Sequence, residues 1–251
     1  MSKSSDILWL NVNPSFKGFD RPLLQYLNPH QQIAQWNYCP SLDEPNSFEV
    51  ALSLLHNHIQ GYGSPIHLVG HGTSGLLGLL YAQRYPEQVR SLTLFSVGVE
   101  AAIDWKTHYY KYRHQSPYPR QQVLQQMIDD LFGDTPETIA EELTHLLEQD
   151  INQSLSLHHL FRQVNLPRIH VTVPLLVCSS VDDVILNPNH LRDWQTHFSN
   201  PNSRLWICPG GRHFFHYFYP QQVGEEMLSF WRSVSHEANL YPIPDLLKAS
   251  A

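Results

Sequence analysis

Pro65 to Val97 reads PIHLVGHGTSGLLGLLYAQRYPEQVRSLTLFSV. It opens on an apolar run, Ile66-His67-Leu68-Val69, and turns through glycines at 70, 72 and 75. A leucine-rich helical stretch follows, stops at Tyr85-Pro86, and gives way to a second apolar run, Leu92-Thr93-Leu94-Phe95. Strand, glycine turn, helix and strand make a unit whose crossover sets the two strands parallel. Outward from it, similar short runs recur at Ile7 to Leu10, Ile33 to Tyr38, Val173 to Cys178 and Leu205 to Cys208, each bounded by Pro, Gly, Asn or Ser. Helical spacing lies between them, with Phe48, Ala51, Leu52, Leu55 and Ile59 behind Ser47 as N-cap, and Val223, Met227, Phe230, Trp231 and Val234 after Pro220. The expected fold class is α/β, a mostly parallel sheet of about six strands with helices on both faces.

The alternation breaks once, from 99 to 168. Val123, Leu124, Met127, Ile128 and Leu131 end at Gly133, Thr135-Pro136 starts a further helix carrying Ile139, Leu143, Leu146 and Leu147, and Leu155 to Val164 follows. The expected organisation is one core built from 1–98 and 169–251, interrupted by a helical insertion at 99–168, with a surface tail from His236 onward. The 251 residues, 42% hydrophobic and 12% aromatic, suffice for a core without staples. Sixteen Lys+Arg against 23 Asp+Glu give a net charge of −7, which argues against nucleic acid as a partner. Three widely spaced cysteines suit a reducing compartment, and no stretch reaches the length of a signal core or a membrane span. A soluble cytoplasmic protein with no membrane partner is expected.

The glycine turn fits two layouts. Gly70-x-Gly72-x-x-Gly75 with Glu100 beyond the next strand satisfies a dinucleotide fingerprint and would make an oxidoreductase. The pattern falls after two earlier strands, however, where a mononucleotide-binding unit opens with it, so no cofactor is expected. The second layout covers most of the chain. His67-Leu68-Val69-Gly70-His71, the small-residue turn, Tyr85-Pro86-Glu87-Gln88-Val89 and Ser91-Leu92-Thr93-Leu94 together resemble the nucleophile region of the α/β-hydrolase superfamily, in its cap-containing, dehalogenase- and esterase-like branch. Aligned to that family's G-x-S-x-G elbow, Gly70-x-Gly72-x-Ser74 puts Gly72 at the nucleophile position, so the serine is missing. Downstream, Ser180-Val181-Asp182-Asp183 resembles the family's G-x-x-D segment with Asp183, not Asp182, as the acid, and Asn187-Pro188 stands where the family often has a proline. Pro209-Gly210-Gly211-Arg212-His213-Phe214 resembles its G-x-G-H-F segment with His213 as the histidine. The order nucleophile position, acid, histidine is the superfamily's order.

The resemblance also implies an oxyanion contact. Asn11-Val12-Asn13-Pro14 is similar to the H-G-N-P loop, with Asn13 and Pro14 matching, and an N–H near Asn13 together with the N–H of Thr73 would form the hole. His71 and Phe214 join Asn13 and Thr73 as substrate-contacting residues, and the insertion falls where the family places its cap. Ser74 lies one position past Thr73, where its hydroxyl caps the helix or faces packing rather than acting as a displaced nucleophile. His56 and His58 do not share a helix face, and His213-x-x-His216 lacks a zincin carboxylate, so no metal is expected. The aromatics Trp105, Tyr109, Tyr110, Tyr112 and Tyr118 in the cap favour a small apolar or aromatic ligand. Function is left between His general-base chemistry of a hydrolase or lyase type, an inactive ligand-binding protein on the same fold, and the dinucleotide reading.

Overall fold

The turn at Gly72 is written into the backbone. Strand β3 (Ile66–His71) runs directly into helix α3 (Gly72–Arg84), and Gly72 takes φ +49°, a left-handed value that costs an L-residue about 1–2 kcal/mol. Gly70 and Gly75 answer a different need. A Cβ on Gly70 would stand 2.6 Å from the Gly75 nitrogen, and one on Gly75 would stand 2.6 Å from Val97 Cγ2. These two glycines are consumed by the close approach of strand and helix, so they do not present an open phosphate cradle.

The computed structural model describes residues 5–41, 43–44, 46–100, 103–115, 117–156, 158–159, 162–163, 170–186 and 191–240. With β1 (Ile7–Asn11), β2 (Ile33–Asn37), β4 (Val89–Phe95), β7 (Leu175–Ser180) and β8 (Arg204–Cys208), β3 forms a six-stranded sheet of order β2-β1-β3-β4-β7-β8. Every neighbouring pair is parallel. The six strands coincide with the six apolar runs; the four central ones are buried on both faces and need no polar alternation, while the edge strands β2 and β8 are only partly buried.

One face is covered by α2 (Phe48–Ile59) and α3, which pack on Leu8, Leu10, Leu68, Leu92, Leu94 and Val177. The other is covered by α1 (Arg21–Leu27), the one-turn α7 (Phe215–Phe218) and α8 (Pro220–Leu240), whose Val223, Met227 and Phe230 meet Ile7, Trp9, Val69 and Leu176. The strand order reverses between β1 and β3, since the chain leaves β1 toward β2 and returns to the opposite side. That switch point is where open α/β sheets hold ligands.

Between β4 and β7 stand α4 (Trp105–Gln115), α5 (Arg120–Phe132) and α6 (Glu137–Gln153). Helix α5 ends at Gly133 with φ +80°. Their core joins Val123, Met127, Ile128, Leu131, Leu143 and Leu147 to Phe16 and Phe214 from the sheet side.

Several sequence expectations are corrected. Ser47 stands at the N-cap of α2, but its hydroxyl makes no cap bond. In α6 Ala140 takes the buried position and Ile139 is exposed. The described part of Leu155 to Val164 is not helical: β5 (His158–His159) pairs antiparallel with β6 (Arg162–Gln163). Helix α8 continues through His236 to Leu240, so the expected tail begins later, and Asn187-Pro188 lies outside the described residues. No described helix is long and apolar enough to cross a membrane.

Candidate active site

Segments that follow β3, β7 and β8 meet at one end of the sheet. After β8 the chain turns through Gly211 at φ +98°, where a Cβ would meet Phe215 Cα at 2.7 Å, and delivers His213 to the interior. After β7 it delivers Asp183, and after β3 Gly72. His213 Nδ1 lies 3.2 Å from Asp183 Oδ2 and 3.4 Å from Oδ1, with both side chains about 2% exposed or less. Asp182 turns elsewhere and accepts the Arg212 N–H at 2.9 Å.

The Asp183 carboxylate is held on all sides. Oδ1 accepts the Ile185 and Leu186 N–H groups at 2.9 and 3.2 Å, and Oδ2 accepts the Ser96 and Ser179 hydroxyls at 3.0 and 3.3 Å. Burial by itself would raise this carboxyl, but the His213 charge and the hydrogen bonds from His213, Leu186 and Ser96 outweigh it and hold it below its ordinary value. Ser96 takes φ +49°, strained for a non-glycine residue, and its hydroxyl also lies 3.1 Å from the His213 carbonyl. An ionised acceptor facing Nδ1 fixes the proton on that nitrogen, and Nε2 of His213 has no partner among the described residues.

His71 is bound differently. Its Nε2 donates to the His213 carbonyl at 3.0 Å, and its ring centroid lies 4.8 Å from that of His213 and 4.9 Å from that of His216. Burial first, then the His213 and His216 charges, push the His71 imidazole well below its ordinary value, so it stays neutral. Gly72 borders open space, with nothing within 4 Å of a Cβ built on it. Thr73, buried, is the second residue of α3, and its N–H is among the four that a helix start leaves without an internal partner.

The loop after β1 departs from the expected hole. The Asn13 N–H is donated to Asn11 Oδ1 at 3.0 Å, and the Val12 N–H to Ser74 Oγ at 3.0 Å. The Asn13 side chain donates to Asp150 Oδ1 at 2.9 Å and Ser154 Oγ at 3.3 Å. Asn13 thus reaches the site with its amides engaged, and the Ser74 hydroxyl ties the start of α3 to the β1 loop. Phe214 lies against the insertion, its ring parallel to Phe132 at 4.7 Å and edge-on to Phe16 at 5.3 Å.

Three groups escaped the sequence reading. Lys106 on α4 is buried, its Nζ bonded to the Asp150 carbonyl and the Ser154 hydroxyl and 3.3 Å from Asp150 Oδ2, while Trp105 Nε1 donates to the same carboxylate at 3.1 Å. His216 and Asp20 form a second buried His–Asp pair at 3.1 Å, with Trp9 Nε1 on the other oxygen at 2.9 Å. His108, half-buried on α4, is held below its ordinary value, first by burial and then by the Lys111 and His213 charges. No local pattern announces any of them, because the partners come from distant elements. Among the described residues no group of three or more His, Cys, Asp or Glu is placed to hold a metal ion, and the three cysteines are free.

A Nostoc sp. (strain PCC 7120) protein is 40% identical over 232 residues, and a Synechocystis sp. (strain PCC 6803) protein 41% identical over 234, each match covering 92–93% of both chains; both relatives are described only as uncharacterized. A thermophilic esterase of known structure superposes with TM-score 0.69 at 17% identity, over 92% of this chain and 91% of its own. The model of the alpha/beta hydrolase family matches residues 13–226. The chain belongs to the alpha/beta hydrolase family.

Proposed function

We propose that this protein is a hydrolase- or lyase-like enzyme that works without an elbow nucleophile, using His213 as general base on a small apolar or aromatic substrate. The observation that carries the reading is the His213–Asp183 pair, buried and oriented by five donors to one carboxylate beside open space at Gly72. Asp183 stabilises the imidazolium that forms when Nε2 takes a proton from substrate or from a water lodged where a serine would stand. The helical insertion acts as the cap, and the aromatic rings of Phe16, Trp105 and Phe214 favour an apolar ligand body. A second reading, a ligand-binding protein without turnover, is favoured by one observation: both β1-loop amides that could serve an oxyanion are already bonded to Asn11 and Ser74.

Gly72→Ser separates the two. The native protein is expected to resist fluorophosphonate labelling, and the variant to be labelled at the introduced hydroxyl and to be deacylated slowly. With one oxyanion donor engaged elsewhere, turnover of p-nitrophenyl acetate should lie about a hundredfold to a thousandfold below that of a complete site. His213→Ala in the Gly72→Ser background should abolish labelling. A folded Gly72→Ser protein that neither reacts nor turns over overturns the general-base reading in favour of binding.

A further inference from the structure

We propose that Ser96 is a positioning residue of this site, its hydroxyl fixing the Asp183 carboxylate to the backbone of His213 so that the pair stays aligned as the imidazole gains and loses a proton. The inference rests on the general-base reading of His213. The first observation is where backbone strain falls. Among the described residues two non-glycine positions take a positive φ, Ser96 at +49° and Arg212 at +54°, and both adjoin the pair. Arg212 immediately precedes His213, and its turn is tied down by its own N–H on Asp182 Oδ1 at 2.9 Å and by the Ser180 hydroxyl on its carbonyl at 2.8 Å. Glycine would take either conformation at little cost, so a side chain kept there is held by its surroundings, and such strain gathers at working sites.

The second observation is what Ser96 touches. It follows β4, the strand between β3 and β7, and its N–H is donated to the Cys178 carbonyl at 2.9 Å. Its buried hydroxyl stands 3.0 Å from Asp183 Oδ2 and 3.1 Å from the His213 carbonyl, so one side chain joins the segments that follow β7 and β8. That hydroxyl has one proton for two acceptors. The His213 carbonyl already receives the His71 N–H at 3.0 Å, and the ionised carboxylate is the stronger acceptor, so the Ser96 proton goes to Asp183. Ser179 reaches the same oxygen at 3.3 Å, but it sits on β7, the strand that leads into Asp183, and gives no hold on His213.

A general base needs this hold at the moment it becomes charged. When Nε2 of His213 takes a proton, the bond from Nδ1–H to Asp183 becomes an ion pair, and it stabilises the imidazolium only while the carboxylate oxygen stays opposite Nδ1. A carboxylate anchored on Oδ1 by the Ile185 and Leu186 N–H groups and on Oδ2 by Ser96 cannot turn about its own bond to the chain.

The test is made on the full chain by proton NMR. The Nδ1–H of His213, bonded to a buried carboxylate, should give a low-field signal that His213→Gln removes. Ser96→Ala and Ser96→Gly both delete the hydroxyl, and each should speed exchange of that proton with water by about tenfold or more. Ser96→Gly also relieves the left-handed strain and should melt at least about 2 °C above Ser96→Ala; if Ser96→Ala fails to fold, Ser96→Gly carries the test. In the Gly72→Ser background both should slow fluorophosphonate labelling by about tenfold or more. A native exchange rate in Ser96→Gly, or labelling that neither variant slows, overturns the proposal. Labelling slowed by Ser96→Ala but restored by Ser96→Gly assigns the effect to backbone strain and overturns it as well. If Gly72→Ser is not labelled at all, the base reading falls, and the exchange rate by itself upholds or overturns Ser96 as the anchor of the pair. A native spectrum without the His213 signal overturns both.

Discussion

Replacing Lys106 by Met removes one partner of an ion pair that is 1% and 0% exposed, with Nζ and Oδ2 3.3 Å apart. At an effective dielectric near 20 the lost attraction is about 5 kcal/mol, and breaking a buried pair from one side costs about 3–5 kcal/mol because the remaining charge is stranded. Asp150 would keep donors from Asn13 and Trp105, so the lower half of that range is the better expectation. For a chain of this length each kcal/mol moves Tm by about 2–4 °C, so a loss of about 6 °C or more should appear in a thermal melt. The double variant Lys106→Met with Asp150→Asn buries no charge and should cost less than Lys106→Met alone, a sign of coupling that urea titration at constant m-value would report. Additive losses in the double variant, or a Lys106→Met melt within about 2 °C of the native one, would refute the argument that Lys106 and Asp150 stabilise the insertion as a coupled pair.

Other outcomes follow from the same geometry. Gly70→Ala should unfold the protein or lower Tm far more than Gly72→Ala, since the first drives a Cβ into backbone at 2.6 Å and the second meets only the left-handed strain of about 1–2 kcal/mol; comparing the two melts checks it. Acid should weaken the fold through two histidines: burial and Arg90 push His67 down to about 3, and His71 also lies well below its ordinary value. The unfolded chain binds those protons first, so the contribution is complete above about pH 6.5 and is lost as pH falls, at up to about 1.4 kcal/mol per unit for each group. His67→Gln should flatten that slope in denaturant titrations across pH. Asp20→Leu should cost about 2–4 kcal/mol by chemical denaturation, because it strands the Trp9 N–H and the His216 ring in the core.

The sheet was legible because its four central strands are buried on both faces and read as apolar runs between breakers, while the half-exposed edge strands β2 and β8 still carry enough apolar residues to stand out. Asp183 and His213 could be named by resemblance to the family, since the segments that carry them, Ser180 to Asp183 and Gly210 to Phe214, are short continuous runs of sequence. Helix α4 was not, because WKTHYYKYRHQ buries a face made of Trp, Lys and Tyr, whose polar tips blur the apolar period. Lys106 reads as a surface residue until α6, 44 positions on, brings Asp150 to it. The engagement of the Asn13 N–H by Asn11 is equally hidden, for it depends on a side-chain rotamer at the end of β1 and not on residue type.

That short bond from Asn13 N–H to Asn11 Oδ1 makes the side chain a tethered competitor for whatever oxygen approaches the β1 loop. A visitor that needs the amide must first rotate a carbonyl already resident at effectively unlimited local concentration. At about 1 kcal/mol for an ordinary hydrogen bond, such a visitor binds roughly fivefold less tightly than it would to a bare amide. One that leaves the bond intact bears no such handicap. In the proposed site the loop would therefore sort ligands by whether they require that amide, and Asn11, which touches no reacting atom, would hold the setting of that filter.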